Sequence, residues 1–189
     1  SEQWDAYHAV NERFATTLAE IAPDGSIVWI HDYQLQLVPG LLRSLRPDLV
    51  IGFFLHIPFP PVELFTRLPW REEIIRGLLG CDLVGFQRPT GATNFIAAAH
   101  QLLAAENDGD VVLYQDRRVR AGVFPISIDI AEVEEIAAGR ATRQSASRIR
   151  ARLGDPEVIM LGVDRLDYTK GIGLRLEAFA KLLEDGRLD

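Results

Sequence analysis

Side chains suited to binding sugars and phosphates follow short apolar runs of this 189-residue sequence. His31 and Asp32 come directly after the apolar run at residues 27–30, and His56 comes directly after the run at 49–55. A carboxylate in such a place can bind a hydroxyl group or act as a general base, and an imidazole can hydrogen-bond a sugar or a phosphate. These residues are therefore candidates for a site that takes a polar ligand.

Arg165 and Lys170 give the strongest local signal. They follow the apolar run at 158–163 and precede a helical pattern, with glycines at the junction. Two cations beside the free N–H groups of a helix N-terminus can hold a diphosphate. The alternative is that Arg165 pairs with Asp164 or Asp167 and that Lys170 is a solvated surface charge. Neither GxGxxG nor GxxxxGK[ST] is present, so neither a dinucleotide fold nor a P-loop is indicated.

The first candidates also have structural alternatives. Asp32 follows a strand and precedes a helical pattern, so on sequence alone its favoured role is to cap that helix. His56 lies in a proline-rich loop, where loop carbonyls could satisfy its ring as well as a ligand could. His31, Asp32 and His56 lack a recognisable third-ligand pattern such as HExxH or paired cysteines, so we expect neither a metal nor a cofactor.

The apolar runs that precede these candidates alternate with helical patterns. The runs at 27–30, 49–55, 83–86 and 158–163 predict buried strands, the first of them covered on both faces. Their alternation with helices predicts an α/β fold in which a parallel sheet carries helices on both faces. Ligands bind beyond the carboxyl ends of such strands, so the polar residues after the strands should share one rim.

The helices themselves are predicted from the spacing of apolar residues. In the first helix, Val10, Phe14, Leu18 and Ile21 are spaced to form one buried face. Helices are predicted at 7–21, 37–45, 90–105, 131–153 and 174–183, and helical turns at 62–79 are interrupted near Pro69.

The chain is predicted to divide where strand-rich sequence gives way to a polar helix. Residues 111–123 suggest a hairpin-like insertion before this point. We expect residues 1–128 to form the C-terminal portion of one Rossmann-like domain, 129–154 a helical connection, and 155–189 the first β-α unit of a second, incomplete domain. A single β-α unit cannot bury both faces of its strand, so the chain is expected to be cut at its C-terminal end.

Composition narrows the classes of partner. The net charge is −7, from 27 acidic and 20 basic residues, which disfavours a nucleic-acid or anionic-membrane surface. The first ten residues contain no signal peptide, and the longest apolar run is too short to cross a bilayer. The single cysteine, Cys81, cannot form an internal disulfide. We therefore expect a cytoplasmic protein.

Five segments are distinctive in combination: VWIHDYQL at 28–35, GFFLHIPFP at 52–60, DLVGFQ at 82–87, FPISID at 124–129 and RLDYTKG at 165–171. Taken together and in this order, they resemble the trehalose-6-phosphate synthase family, glycosyltransferase family 20. The resemblance extends over nearly the whole chain. The resemblance implies a GT-B fold, in which two Rossmann-like domains face each other across a cleft. Residues 1–128 would then belong to the acceptor-side domain, and 155–189 would open the nucleotide-sugar-binding domain.

The resemblance also implies an activity and roles for four residues. The activity is retaining transfer of glucose from UDP-glucose, or another nucleoside diphosphate glucose, to glucose 6-phosphate. Asp32 would contact the acceptor sugar, His56 would lie beside the transferred glucose, and Arg165 and Lys170 would hold the donor diphosphate. No metal is required, no nucleic acid or membrane partner is implied, and a homo-oligomer of the full-length protein stays open.

Two departures from the family pattern qualify these expectations. Gln34 stands where many relatives carry a second histidine. The family's N-terminal glycine-rich loop and its later nucleotide-binding residues are absent, so we expect the chain alone to be inactive. Two alternatives stay open: a related transferase with another acceptor (glucosylglycerol-phosphate or validoxylamine-phosphate synthase-like), and a catalytically silent binding or regulatory homologue.

Overall fold

The computed structural model describes residues 1–188. The chain forms two compact units, one at Ser1–Ile128 and one from Asp129 onward. The first unit contains five helices: α1 (Glu2–Ile21), α2 (Val38–Leu45), α3 (Val62–Phe65), α4 (Arg71–Leu78) and α5 (Pro89–Leu103). Its strands are β1 (Ile27–His31), β2 (Val50–Leu55), β3 (Leu83–Phe86), β4 (Glu106–Asp108), β5 (Val111–Tyr114) and β6 (Arg117–Val123).

The six strands form one sheet in the order β1-β2-β3-β6-β5-β4. β1, β2, β3 and β6 are parallel, and β5 and β4 continue the sheet as antiparallel strands. The predicted parallel sheet is therefore confirmed, and so is the predicted hairpin, which is β5–β6. The short β4, which pairs with β5, was not predicted. The carboxyl ends of β1, β2 and β3 lie at one edge, and this edge carries His31, Asp32 and His56.

The helices of the first unit pack on one face of the sheet, not on both. Side chains of alternate strand residues, such as Val28 and Phe53, join Leu42, Ile75 and Phe95 of the helices in one core. The opposite face carries Ile27 and Trp29, which are 77% and 66% exposed. Among the helices of residues 1–128 none covers that face, so the prediction that β1 is buried on both sides is wrong for this unit. A continuous apolar run shows that both faces of a strand can be buried, but it does not show that another element packs on each face.

α1 packs through a different face from the predicted one. Val10 and Phe14 are about half exposed, while Asn11 and Ala15 are buried. The apolar spacing was misleading because the buried face is made of Tyr7, Asn11 and Ala15. Ala15 is small and allows close packing, and all the hydrogen-bonding groups of the Asn11 side chain have partners.

Glycines allow α2 and α4 to approach closely. A Cβ atom added at Gly80, just after α4, would lie 2.5 Å from the backbone Cα of Gly40 in α2. A Cβ atom at Gly77 would lie 2.5 Å from the carbonyl oxygen of Gln36. Neither neighbour is a flexible side chain that could move aside, so this contact requires glycine. Cys81, adjacent to this contact, is completely buried, as predicted.

Residues 129–188 of the second unit contain three helices: α6 (Ile130–Ala138), α7 (Arg140–Arg152) and α8 (Ile172–Glu184). The single helix predicted at 131–153 is interrupted at Gly139, whose backbone is extended. The strand predicted at 158–163 is absent: the segment is irregular, and Leu161 and Val163 are 84% and 83% exposed. A strand requires neighbouring backbone groups to bond, and among residues 1–188 this segment has no pairing strand. No helix within the described range is long and apolar enough to span a membrane.

Candidate active site

Two adjacent parallel strands bring His31, Asp32 and His56 together. His31 is the last residue of β1 and lies opposite Phe54 of β2, so the residues after both strands meet at one edge. The Nδ1 atom of His31 lies 3.0 Å from Nε2 of His56, and the two rings stack with centroids 5.3 Å apart. The backbone N–H of His56 donates to Oδ1 of Asp32 at 3.1 Å. The expectation that these residues share one rim is confirmed for this unit.

The role of Asp32 differs from the helix cap favoured on sequence alone. It precedes a short 3₁₀ turn at Tyr33–Leu35, but its side chain makes no capping hydrogen bond there. Instead the carboxylate accepts from His56, while the Asp32 N–H donates to the carbonyl of Phe54 at 2.8 Å. The other carboxylate oxygen, Oδ2, forms no hydrogen bond with residues 1–188. Asp32 thus links the ends of two strands and retains one free acceptor.

The backbone of Asp32 is strained. Its φ of 70° and ψ of 171° lie in a region that is essentially restricted to glycine. Strain of this kind persists only where the surrounding structure imposes it, and it is concentrated at functional sites. The conformation turns the chain sharply out of β1 and places the carboxylate over the end of β2.

Tyr7 and Asn11 of α1 hold the segment that follows Asp32. The Tyr7 hydroxyl donates to the carbonyl of Tyr33 at 2.8 Å and accepts the N–H of Gln36 at 3.1 Å. Burial raises the pKa of this phenol. The Asn11 side chain donates to the carbonyl of Gln34 and accepts the N–H groups of Leu37 and Val38. Neither residue was predicted from the sequence; the available signal was an asparagine four residues after a tyrosine within a helix.

Two residues of the segments that resemble the family have structural roles. Gln87, after β3, donates to the Ile126 carbonyl at 2.8 Å and accepts the Ile126 N–H at 2.9 Å, which fixes the segment after β6. Asp82 bonds Arg43 at 2.7 Å and Arg117 at 3.1 Å. These contacts hold β3 to its neighbours, so neither side chain is a strong candidate for ligand binding.

Two cavities meet at His56. A cavity of about 520 Å³ on the open face of the sheet is lined by both histidines together with Trp29, Phe54 and Phe124. A smaller one, of about 250 Å³, runs from His56 along the proline-rich loop to Gln87 and Arg88 at the start of α5; it is also lined by Ile57, Pro58, Phe59, Phe86, Thr90 and Gly91. His56 can therefore be reached by a ligand from either side. The carboxyl edge of the sheet has the aromatic walls and polar groups typical of a binding site.

Arg165 and Lys170 lie in the second unit, in the loop before α8. The Asp167 carboxylate accepts the N–H and the hydroxyl of Thr169, both at 2.9 Å. These bonds, with a smaller contribution from the charges of Arg165 and Lys170, lower the pKa of Asp167. Both cations therefore lie near this carboxylate.

The ion pairs proposed as the alternative role of Arg165 are not found. Asp164 instead pairs with Arg175 at 2.5 Å. Over residues 1–188, neither Arg165 nor Lys170 forms an ion pair. Gly171, with φ of 58°, ends the turn that carries Lys170 and begins α8. Two cations that form no ion pair, in the loop that precedes a helix, could receive a ligand anion.

A metal site is not indicated by the side chains present. Within the described part of the chain, no three residues among His, Cys, Asp and Glu are grouped so as to hold a metal ion. The site geometry rests on hydrogen bonds and aromatic contacts instead.

The fold and this edge define a Rossmann-like α/β protein of the GT-B glycosyltransferase type, with a candidate ligand site at the carboxyl ends of its parallel strands. The model of glycosyltransferase family 20 matches residues 1–187. The chain belongs to this family.

Known relatives extend the comparison. The chain is 59% identical over 197 residues to the trehalose-6-phosphate synthase of Mycolicibacterium vanbaalenii, and the match covers 100% of this chain and 40% of the relative. An E. coli trehalose-6-phosphate structure bound with UDP-2-fluoro glucose is 35% identical with a TM-score of 0.76, covering 96% of this chain and 40% of that one. The N-terminal domain of Candida albicans trehalose-6-phosphate phosphatase is 33% identical with a TM-score of 0.71, covering 79% and 32%. The chain thus spans about 40% of the length of the curated relatives it matches.

Proposed function

We propose that the protein to which this chain contributes transfers glucose from UDP-glucose, or another nucleoside diphosphate glucose, to glucose 6-phosphate and forms trehalose 6-phosphate. The observation that carries the proposal is the match of the whole chain to a trehalose-6-phosphate synthase at 59% identity. The coupled Asp32–His56 edge and the two cations around Asp167 lie within the matched length and supply suitable chemistry.

Asp32 and His56 are proposed to bind the sugars. Because Oδ1 of Asp32 is used by the His56 N–H, its free Oδ2 is the atom we assign to a hydroxyl of the acceptor sugar. His56, whose ring lines both cavities, is assigned to the transferred glucose. A carboxylate that accepts a hydroxyl hydrogen bond distinguishes sugars by orientation, since a misplaced hydroxyl leaves the carboxylate without a partner.

Arg165 and Lys170 are proposed to bind the donor diphosphate. Their charges would stabilise the phosphate oxygen that becomes negative as the bond between it and the anomeric carbon breaks. The acceptor hydroxyl forms the new bond on the same face of the sugar, and its proton passes to the leaving phosphate. No protein nucleophile is required, and catalysis rests on positioning and on charge stabilisation.

A chimera tests the activity of this segment. The matched segment of the M. vanbaalenii synthase is replaced by this chain, and UDP release from UDP-glucose is measured with glucose 6-phosphate as acceptor. We expect turnover from the chimera and none from the 189-residue chain alone. Turnover with glycerol 3-phosphate but not with glucose 6-phosphate would instead identify a related transferase with another acceptor.

A silent binding homologue is the second candidate, and the resemblance to a domain of a phosphatase favours keeping it. Binding of UDP-glucose to the chimera separates the two, measured with the segment unchanged, with Arg165→Ala and with the control Arg148→Ala, an exposed arginine of α7. A hydrogen bond to a charged group contributes about 1.5–3 kcal/mol, so Arg165→Ala should weaken binding about tenfold or more. Equal binding by all three proteins, or none, would favour the silent homologue.

A further inference from the structure

The contact between His31 and His56 joins two ring nitrogens, and this restricts where their protons can be. Nδ1 of His31 and Nε2 of His56 are 3.0 Å apart, so one of them must donate and the other accept. If His56 donates, both neutral rings carry their proton on Nε2. If His31 donates, both carry it on Nδ1. The hydrogen bond therefore couples the tautomers of the two residues.

Further contacts hold both rings in place. The Trp29 ring lies against His31 with centroids 4.5 Å apart, and Phe54 lies against His56 with centroids 4.8 Å apart. The backbone N–H of His56 is held separately by Asp32. His56 is thus held at its backbone by Asp32 and at its ring by His31 and Phe54.

We propose that His31 is a positioning residue, which keeps the proton of His56 on Nε2 and leaves Nδ1 of His56 as a hydrogen-bond acceptor for a hydroxyl group of the substrate. In this arrangement both rings have the Nε2–H tautomer that free histidine side chains favour in water. Nδ1 of His56 forms no hydrogen bond within the described residues. The catalytic part of this inference rests on the proposed function; the tautomer does not.

Two substitutions of His31 separate a specific hydrogen bond from simple packing. In His31→Asn the side-chain carbonyl lies close to where Nδ1 was and can still accept from Nε2 of His56. In His31→Leu a side chain of similar bulk remains, but it cannot accept a hydrogen bond. Far-UV circular dichroism and thermal unfolding establish that both variants fold.

The tautomer is measured by ¹⁵N nuclear magnetic resonance of the histidine side chains at about pH 8.5, where ordinary imidazoles are neutral. In the wild type and in His31→Asn, we expect Nδ1 of His56 to have the shift of an unprotonated nitrogen and Nε2 that of a protonated one. In His31→Leu the two shifts should move toward each other, to the values of a free ring in which the Nε2–H form is the larger part of a mixture. A protonated Nδ1 in the wild type, or an unchanged spectrum in His31→Leu, would overturn the proposal.

The kinetic consequence is measured in the chimera described above. His31→Leu should lower kcat about tenfold with little change in KM, because the ring of His56 loses its orientation as well as its fixed tautomer; tenfold is the lower end of what residues that orient metal-ligating histidines contribute. His31→Asn should restore most of the kcat. Equal kcat values for wild type and His31→Leu would show that the tautomer does not matter for turnover and would overturn the positioning role. A wild-type chimera without turnover would count against the proposed function, and the resonance spectra would still decide the tautomer.

Discussion

Replacing Asn11 by alanine should be among the most destabilising polar substitutions in the first unit. The side chain is fully buried, and its loss leaves three backbone groups without partners: the carbonyl of Gln34 and the N–H groups of Leu37 and Val38. The Val38 N–H begins α2 and has no acceptor within that helix. Each buried group left unsatisfied costs about 1–3 kcal/mol. Water entering the vacated space offsets part of this, so we expect a loss of about 3–5 kcal/mol.

Two other asparagines provide matched controls for the same substitution. The Asn94 side chain donates to one carbonyl, that of Phe59, and is half-buried, so Asn94→Ala should cost about 1 kcal/mol. The Asn107 side chain is exposed and has a single long contact at 3.4 Å, so Asn107→Ala should change stability by less than about 0.5 kcal/mol. The expected order of destabilisation is Asn11, then Asn94, then Asn107.

Urea unfolding followed by tryptophan fluorescence measures this order. All three tryptophans, at positions 4, 29 and 70, lie in the first unit, so the signal reports that unit alone. With a urea slope of about 1–3 kcal/mol per molar, a loss of about 3 kcal/mol lowers the midpoint by at least about 1 M. If Asn11→Ala costs no more than Asn94→Ala, the view that α1 holds the segment after Asp32 through this side chain is wrong.

Three further substitutions or treatments test separate contacts. Gly80→Ala should lower the free energy of unfolding by about 1–3 kcal/mol or more, because the added Cβ meets backbone atoms. In the control Gly52→Ala the nearest atom is 3.7 Å from the added Cβ, so stability should not fall. Urea midpoints compare the two variants. Burial raises the pKa of the Cys81 thiol, so a thiol reagent should label the native chain far more slowly than the chain in urea. The hydrogen bond from Arg46 lowers the pKa of Asp48 in the folded chain. The ionised carboxylate therefore stabilises the fold fully above the unfolded-state pKa of about 3.9, and this stabilisation is lost as pH falls through the lower folded-state pKa. Asp48→Asn should make stability less dependent on pH in the acid range.

The sequence was sufficient to predict the sheet and the edge at which polar residues gather. Runs such as 27–30 and 83–86 are apolar and too short for helices, and each has a neighbouring strand with which to pair; parallel order then places the residues after them together. The apolar spacing predicted the wrong buried face of α1. Asn11 can be buried because its side chain is hydrogen-bonded, and an apolar pattern cannot reveal this. The apolar pattern also failed at 158–163, because strand formation depends on a partner that apolar residues alone do not specify.

The sequence predicted which polar residues lie at this edge of the sheet, but not how their side chains bond. His31 was considered as a polar residue of the rim and as a metal ligand, whereas the structure pairs its ring with that of His56. The contact depends on the register of β1 against β2, which sets His31 opposite Phe54, and register is not readable from either strand alone.

The strain at Asp32 predicts that glycine is more stabilising than alanine at this position, the reverse of their usual order. Asp32→Gly and Asp32→Ala both remove the carboxylate that accepts the His56 N–H, so this loss is common to them. Alanine retains the unfavourable φ of 70°, which costs about 1–3 kcal/mol, whereas glycine adopts it freely. Glycine also gains more entropy on unfolding, by about 0.4–1 kcal/mol. Asp32→Gly should therefore be the more stable variant, by about 1 kcal/mol.

Asp48 provides the control for this comparison, because its φ is not positive. There the entropy of the unfolded chain alone distinguishes the two residues, so Asp48→Ala should be more stable than Asp48→Gly. Urea midpoints of the four variants, again followed by tryptophan fluorescence, measure both differences. The two positions should give opposite signs, since only at Asp32 does the fold impose a backbone that alanine resists. The same sign at both positions would mean that Asp32 relaxes when its side chain is removed, and that the carboxylate itself, not the surrounding strands and α1, holds the turn.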